Sequence, residues 1–295
     1  MGNEIIKNQN NPELIKLLLA STVAYTKAKV WETKISYFLI ILSVAYPVSF
    51  VLIKDESIKL SLFGCSLFLT IFIQIITSKL KGNTSKGAIF KEEFDTTLFD
   101  LPWKSTLIRP DHREVANLSL QYKGKEIKDW YSCNLLPSIP HNAAVAILQH
   151  SNTSWDIELR KSFRDCIIGF LTSYSILLFS FFVMIKVDGL SIFIIVFSIQ
   201  SFYTHFISLI RGHSSVIEKR EIISNHLDKI IRNKQNISIE NLRDIQDEIY
   251  STRLESVKVP NFFFRLYQKR MDAITEDYIE SVNRSYDSLR PNPSN

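Results

Sequence analysis

Apolar residues are concentrated in four stretches of the chain that contain no charged residue. These stretches cover residues 35–53, 60–78, 166–185 and 189–210, so they are 19, 19, 20 and 22 residues long. A helix needs about 20 apolar residues to cross a hydrocarbon core about 30 Å thick. Each stretch is therefore predicted to be a membrane-spanning helix, and short polar connections join the four into two hairpins.

The segments around the four apolar stretches are predicted to be helical too. Asn11 and Pro12 form a typical helix start, and that helix is expected to run into the first span. Residues 81–85 predict a break after the second span, and residues 110–114 predict a new helix start. Thr153–Asp156 has the capping-box form, and the helix that it begins is expected to continue into the third span.

Apolar residues outside the spans recur at the three- and four-residue spacings of helical packing stripes. These are Trp155, Leu159 and Phe163; Ile223, Leu227 and Ile230; Leu242, Ile245 and Ile249; and Tyr267, Met271, Ile274 and Tyr278. The predicted fold class is an all-α membrane protein with four transmembrane helices and a helical cytoplasmic region. Its predicted parts are an N-terminal helix (1–34), a first hairpin (35–78), a middle region (79–165), a second hairpin (166–210) and a C-terminal region (211–295).

The net charge of +5 matters less than the position of the charges along the chain. The connections within the two hairpins contain three of the 35 Lys and Arg residues, and the other 32 lie in the three remaining segments. Basic residues near spans favour the cytoplasmic side of a membrane. Both termini and the middle region are therefore predicted to be cytoplasmic, and little of the chain is left outside to bind an extracellular ligand.

The sequence offers little support for an enzyme, a metal site or a cofactor. The three cysteines have no paired spacing, and the chain contains no HExxH, GxSxG, P-loop or GxGxxG motif. Glu92, Glu93 and Asp95 could be paired catalytic acids, but a solvated helix face near a helix N-terminus is the favoured interpretation. A ring of acids at a pore mouth is the third alternative.

The fourth span divides into a polar side and an apolar side. At 100° per residue, its polar residues occupy an arc of about 160°. They are Ser198, Gln200, Ser201, Thr204, His205 and Ser208. The second span has a narrower stripe that includes Gln74. Both stripes suit either helix packing or contact with water, and for the fourth span we favour lining of a pore formed by several copies of the chain.

Several motifs resemble the SMODS-associated four-transmembrane effectors. Phe90–Trp103 is similar to the EEFD…LF.LPW signature of that family, and Asp129–Tyr131 is similar to its DWY element. Residues 146–160 resemble its CQ..N..WD..LR element, although Leu148 replaces the usual cysteine and His150 departs from the pattern. The matching positions are Glu92, Glu93, Phe94, Asp95, Leu101, Pro102, Trp103, Gln149, Trp155, Asp156 and Arg160. Residues 9–29 and 242–253 are similar to the outer elements, so the resemblance covers nearly the whole chain.

The resemblance implies a pore-forming effector of bacterial anti-phage signalling in the inner membrane. In that family a neighbouring nucleotidyltransferase makes a cyclic oligonucleotide, and the membrane effector responds by compromising the cell. Such a ligand needs basic groups for its phosphates and aromatic faces for its bases. The middle region supplies Arg109, Arg113, Lys123, Trp130 and Tyr131.

The expected partners are membrane lipids, further copies of the chain and the cyclic oligonucleotide, whereas direct DNA or RNA binding is not expected. Packing of a small helical domain remains the alternative role for the tryptophans, and solvated charge remains the alternative for the basic residues. The rival to a pore is a membrane-anchored signalling adaptor whose spans only hold and dimerise a cytoplasmic module.

Overall fold

The computed structural model describes residues 2–131 and 134–287, except for the side chains of residues 2–3, 74 and 77–80. Within these ranges the chain forms nine α-helices and no strand. The helices are α1 (Gly2–Asn8), α2 (Pro12–Leu52), α3 (Glu56–Leu98), α4 (His112–Ser119), α5 (His141–Met184), α6 (Gly189–Ser198), α7 (Gln200–Arg232), α8 (Ile239–Glu255) and α9 (Asn261–Asp287). The prediction of an all-α fold is therefore confirmed.

Three helices are long and apolar enough to cross a membrane, namely α2, α3 and α5. The consecutive helices α6 and α7 meet at a 52° bend around Ile199, and they supply a fourth span when they are counted together. The predicted helix start is present, because Asn11 Oδ1 accepts a hydrogen bond from the Glu13 amide at 2.9 Å. Four apolar spans in two hairpins agree with the prediction, but the fourth span is broken.

The same helices form both the spans and the region outside them. The predicted boundaries at residues 34, 78, 165 and 210 all lie inside continuous helices. We call the part of the structure outside the four apolar stretches the extramembrane region. The helices α2, α3, α5 and α7 each continue without a break from the extramembrane region into a span.

Two predicted helix boundaries are wrong. The break at residues 81–85 does not exist, because α3 continues through this segment to pack against α2, where Ser21 Oγ donates to the Gly87 carbonyl at 2.8 Å. The capping box at residues 153–156 lies inside α5. There Thr153 Oγ1 donates to the Gln149 carbonyl at 2.7 Å, a bond to the preceding helical turn and not to a cap.

One apolar core holds the extramembrane region together. It joins α1, the first half of α2, the ends of α3 and α7, the start of α5, and α4, α8 and α9. The predicted stripes of α7 and α8 are all buried: Ile223, Leu227, Ile230, Leu242, Ile245 and Ile249. The stripe predicted for α9 holds only in part, because Met271 is buried whereas Ile274 is 49% exposed.

A second apolar cluster lies where the extramembrane region meets the spans. Leu159 and Phe163 on α5 pack with Phe263 on α9 and with Phe206 on α7. Trp155 packs partly buried against the same cluster, which confirms the face predicted for these α5 residues. The start of α9 is therefore fixed close to the ends of the spans.

Candidate functional site

Two acidic residues at the end of α3 are completely buried in the extramembrane region. Glu92 accepts hydrogen bonds from Arg243 Nη2 at 2.6 Å and from Gln246 Nε2 at 2.8 Å. Arg253 lies 3.7 Å from the second carboxylate oxygen of Glu92. All three partners belong to α8, so this carboxylate ties the end of α3 to α8.

Asp95 lies one turn further along α3 and is also fully buried. Its carboxylate accepts from Arg253 Nη2 at 2.6 Å and from the Tyr131 hydroxyl at 2.7 Å, and Lys91 Nζ lies 3.0 Å away. The Lys91 ammonium also lies over the rings of Phe94 and Trp130, 4.1 and 4.3 Å from their centroids. Such cation–π contacts favour the charged ammonium in a buried setting.

Burial shifts the pKa values of this cluster in the directions expected for charges removed from water. It lowers the pKa of Lys91 to about 7, although Asp95 opposes the shift. Burial also raises the pKa of Glu92, in spite of the nearby Arg253 and Arg243 guanidinium groups. Burial alone would raise the pKa of Asp95, but the charges of Lys91 and Arg253 outweigh burial, so the pKa is lowered. The cluster is thus stabilised by pairing between α3 and α8.

A second buried charge cluster lies closer to the spans. Asp156 on α5 pairs with Arg160 one turn later and with Arg220 Nη1 on α7 at 3.1 Å. Arg220 Nε also donates to Thr252 Oγ1 on α8 at 3.1 Å. Burial raises the pKa of Asp156, but Arg160 and Arg220 outweigh burial and lower it well below the usual range. This cluster joins α5, α7 and α8.

The short connection between α8 and α9 contacts the ends of three spans. We call residues 256–260 the α8–α9 linker. Arg160 on α5 donates to Ser256 Oγ at 2.6 Å and to the Val257 carbonyl at 2.9 Å. On α2, Glu32 accepts from the Lys258 amide at 3.2 Å. On α7, Gly212 lies so close to the linker that an added Cβ would be 2.9 Å from Val257 Cγ1. The linker is therefore held by α2, α5 and α7 at once.

The expectation of a solvated acidic helix face near an N-terminus is wrong. Glu92 and Asp95 have no exposed surface, Glu93 is 8% exposed, and all three lie near the C-terminal end of the continuous helix α3. The burial of these three side chains also contradicts the alternative in which they form a ring of acids at a pore mouth. Arg243 and Gln246 bond the Glu92 carboxylate and Arg253 bonds that of Asp95, so both buried acids are paired within the chain.

The polar stripe of the fourth span divides into a paired part and an exposed part. Ser198 and Ser201 are buried, and Ser201 forms a hydrogen bond with Thr70 of α3. His205 Nε2 lies 2.9 Å from Ser36 Oγ of α2. Gln200 is half-buried, whereas Thr204 and Ser208 are exposed.

The stripe is therefore not a single water-facing surface within one chain. The bend at Ile199 also separates Ser198 from the rest of the stripe. The prediction that Ser198 shares one continuous helical arc with the other five residues is therefore wrong. The Gln74 side chain, predicted to line a pore from the second span, lies outside the described residues.

The comparison with known families agrees with this architecture. Residues 3–282 match the family model described as the SMODS-associating 4TM effector domain. The chain belongs to this family. A relative from Bacillus cereus (strain VD146), named as a probable CBASS effector molecule, is 27% identical over 291 residues, which is 91% of this chain and 94% of the relative. No solved structure matches the chain.

The positions that resemble the motifs of the SMODS-associating 4TM effectors meet in the two charge clusters and the core around them. Gln149 Nε2 donates to Gln246 Oε1 at 3.1 Å, and Phe94 and Leu101 are buried. The Pro102 carbonyl accepts from Arg243 at 3.3 Å. Arg220 was not among the predicted residues. The available signal was its spacing within a charged run, three residues after Ile217 and three before Ile223, which places it on the buried face of α7.

The five predicted ligand-binding residues have different environments. Tyr131 is 5% exposed, and its hydroxyl donates to Asp95, so the prediction that it offers a free aromatic face to a base is wrong. Trp130 is 44% exposed and contacts Lys91. The remaining three are exposed basic residues: Arg109, Arg113 and Lys123.

Arg109 is the ligand candidate with the most defined surroundings. Its guanidinium lies 5.0 Å from the centroid of the Trp103 ring and 3.3 Å from Glu93. Its side chain is nevertheless 61% exposed. An exposed guanidinium beside an indole ring can still bind a phosphate through its outer edge. Among the five predicted ligand-binding residues, Arg109 is thus an exposed basic group held beside an aromatic ring.

Proposed function

We propose that this chain is a non-enzymatic effector of bacterial anti-phage defence in the inner membrane. It responds to a cyclic oligonucleotide from a partner nucleotidyltransferase, and several copies together permeabilise the membrane. Membership of the SMODS-associating 4TM effector family and the name of the Bacillus relative support the defence role. The positions of the basic residues support a cytoplasmic location for both termini and the middle region, because 32 of the 35 Lys and Arg residues lie in these segments and three lie in the hairpin connections.

The observation that carries the pore is the exposed polar edge of α7. Thr204 and Ser208 lie within the fourth apolar stretch, yet both are exposed in the part of the chain that the structure describes. Polar side chains within a bilayer usually face a protein neighbour or a water-filled path. Four helices in one chain are too few to enclose a pore, so this edge requires several copies to surround an aqueous path.

The α8–α9 linker supplies a route from signal to spans. Its contacts with Glu32, Arg160 and Gly212 join it to α2, α5 and α7 close to where each enters the membrane. A ligand that shifts α8 against α3 would move this linker. Because α2, α5 and α7 are continuous across the membrane boundary, the spans that they form would move with the linker.

The second candidate function is a membrane-anchored adaptor without a pore. The observation in its favour is that Ser201 and His205, part of the polar stripe, already have partners on α3 and α2 within the same chain. Helix packing accounts for these two residues without any water. Packing within one chain does not account for Thr204 and Ser208, so in the adaptor these two residues would have to pack against a second copy.

Two nearly isosteric substitutions, Thr204→Val and Ser208→Ala, separate the candidates. The purified chain is reconstituted into dye-loaded vesicles and treated with a panel of synthetic cyclic di- and trinucleotides. A pore formed by this edge requires that the double variant release dye at least tenfold more slowly than the unaltered chain, whereas the control Ile207→Val on the same helix should have no effect. Equal rates for all three proteins would exclude this edge as the pore lining and favour the adaptor.

A further inference from the structure

We infer that the first turns of α9 form a binding surface for anionic phospholipid headgroups at the membrane surface. The surface consists of Phe262, Arg265, Leu266 and Lys269, and we call it the α9 lipid surface. The inference goes beyond the proposed function, because it depends only on the chain spanning a membrane and not on a pore or a nucleotide.

The α9 lipid surface is apolar and exposed at its centre. Phe262 is 59% exposed and Leu266 is 73% exposed, and they lie one helical turn apart on the same face. At 100° per residue, the exposed Arg265 and Lys269 lie within about 60° of Phe262. The opposite face of α9 carries the buried Phe263 and Met271. The helix is therefore amphipathic, with two bulky apolar side chains on the face that it turns away from the protein.

The depth of α9 places this surface beside the bilayer. The Phe263 ring packs against Phe163, with centroids 4.9 Å apart. Phe163 precedes the third apolar stretch, which begins at Cys166, by three residues, or about 5 Å along a helix. The polar headgroup layer is about 5–8 Å thick on each side of the hydrocarbon core. Phe262 therefore lies at the level of the headgroups.

The direction of α9 explains why only its first turns reach the lipid. The helix runs back along α5, because Asp272 accepts from Trp155 Nε1 at 3.1 Å and the Tyr278 ring lies 4.6 Å from His150. Each step along α9 thus leads further from the span. Ile274 is also exposed, but it lies 12 residues, or about 18 Å, beyond Phe262.

The charge of this segment selects the kind of lipid. Between residues 261 and 271 the chain has three basic residues and no acidic residue. Basic residues near an anionic membrane surface contribute about 1 kcal/mol each. Trp31, which is 50% exposed and contacts Lys34, marks the same boundary on α2 as an aromatic residue of the interface. An anionic phospholipid matches these features, because its headgroup can pair with the basic residues while its acyl chains contact the apolar ones.

Spin labels can test the inference directly. Single cysteines are introduced at 262, 266 and 274 in a chain whose native cysteines are replaced by serine or alanine, and each protein is placed in nanodiscs of phosphatidylcholine with phosphatidylglycerol. We expect labels at 262 and 266 to be relaxed more by oxygen than by a water-soluble nickel chelate. The label at 274, on the same helix, should show the reverse.

A second arm tests the charge. In nanodiscs of phosphatidylcholine alone, the labels at 262 and 266 should become more accessible to the nickel chelate. The double variant Arg265→Gln, Lys269→Gln should remove this lipid dependence, because two charges account for about a 30-fold preference for the anionic lipid. Nickel accessibility at 262 and 266 equal to that at 274 would overturn the inference. Strong spin–spin broadening between copies would also overturn it, because the surface would then be an interface between two chains.

Discussion

Replacing Arg253 with methionine should destabilise the chain strongly. Arg253 is buried, and its guanidinium pairs with Asp95 at 2.6 Å and lies 3.7 Å from Glu92. Methionine retains much of the side-chain length and apolar volume but removes the charge. The variant would therefore leave two buried carboxylates with fewer partners: Asp95 would keep Lys91 and the Tyr131 hydroxyl, and Glu92 would keep Arg243 and Gln246.

The size of the effect follows from the burial of these groups. Removing one partner of a buried ion pair typically destabilises a protein by about 3–5 kcal/mol, because the remaining charge stays desolvated. For a chain of this size, 1 kcal/mol corresponds to about 2 °C in the melting temperature. We therefore expect Arg253→Met to lower the melting temperature by about 6–10 °C. In Arg232→Met, which removes an exposed guanidinium paired one turn away with Asp228, the melting temperature should stay the same.

The dependence on pH provides a separate test of the cause. Lys91 and Arg253 hold the native pKa of Asp95 below its ordinary value despite burial, so this pairing stabilises the chain above the unfolded pKa and is lost as the pH falls. Without Arg253 the native pKa of Asp95 rises, and protonation relieves the buried charge. The difference in melting temperature between the variant and the unaltered chain should therefore be smaller at pH 5 than at pH 7.5.

The assay is thermal unfolding of detergent-solubilised chain, followed by circular dichroism or by intrinsic fluorescence. Adding Asp95→Asn to Arg253→Met should recover part of the loss, since coupled residues are not additive. The reasoning would be refuted if Arg253→Met and Arg232→Met melted alike, or if the loss in Arg253→Met grew as the pH was lowered.

Two further predictions concern glycines on helices that lie close to a side chain elsewhere in the chain. An added Cβ at Gly87 would lie 2.7 Å from the Tyr25 ring, so Gly87→Ala should destabilise the chain by about 1–3 kcal/mol. Gly82→Ala should stabilise α3 by about 0.5–1 kcal/mol, because no atom of the described residues lies within 4 Å of the added Cβ, and equal melting temperatures for the two variants would contradict both values. Gly212→Ala should displace Val257 and alter nucleotide-triggered dye release, and adding Val257→Ala should restore it. Unchanged release in the single variant would show that the linker does not couple to the spans.

The spans were predictable because their signal is local and strong. Each consists of about 20 consecutive residues without charge, and no contact with a distant part of the chain is needed to recognise it. The caps at Asn11 and Asp111 were predictable for the same reason, because each side chain bonds an amide two residues later. The bend at Ile199 could not be predicted, because no proline or glycine lies at this position in the sequence.

The charge clusters could not be predicted, because their partners are distant in sequence. Glu92 and Arg243 are separated by 151 residues, and Asp95 and Arg253 by 158. Locally, an acidic run such as residues 92–95 is typical of a solvated helix face. Only the packing of α3 against α8 converts it into a buried network. The missing break at residues 81–85 has the same origin, because packing of α3 against α2 outweighs the low helix propensity of Gly82.

The central claim is that several copies of this chain open an aqueous path when a cytoplasmic signal binds. Its most direct test is dye release from vesicles that contain a graded number of purified chains, with and without the panel of cyclic di- and trinucleotides. Release should occur only with an activating nucleotide, and its rate should rise more steeply than in proportion to the number of copies per vesicle. Nucleotide binding without any release, or release strictly proportional to copy number, would contradict it.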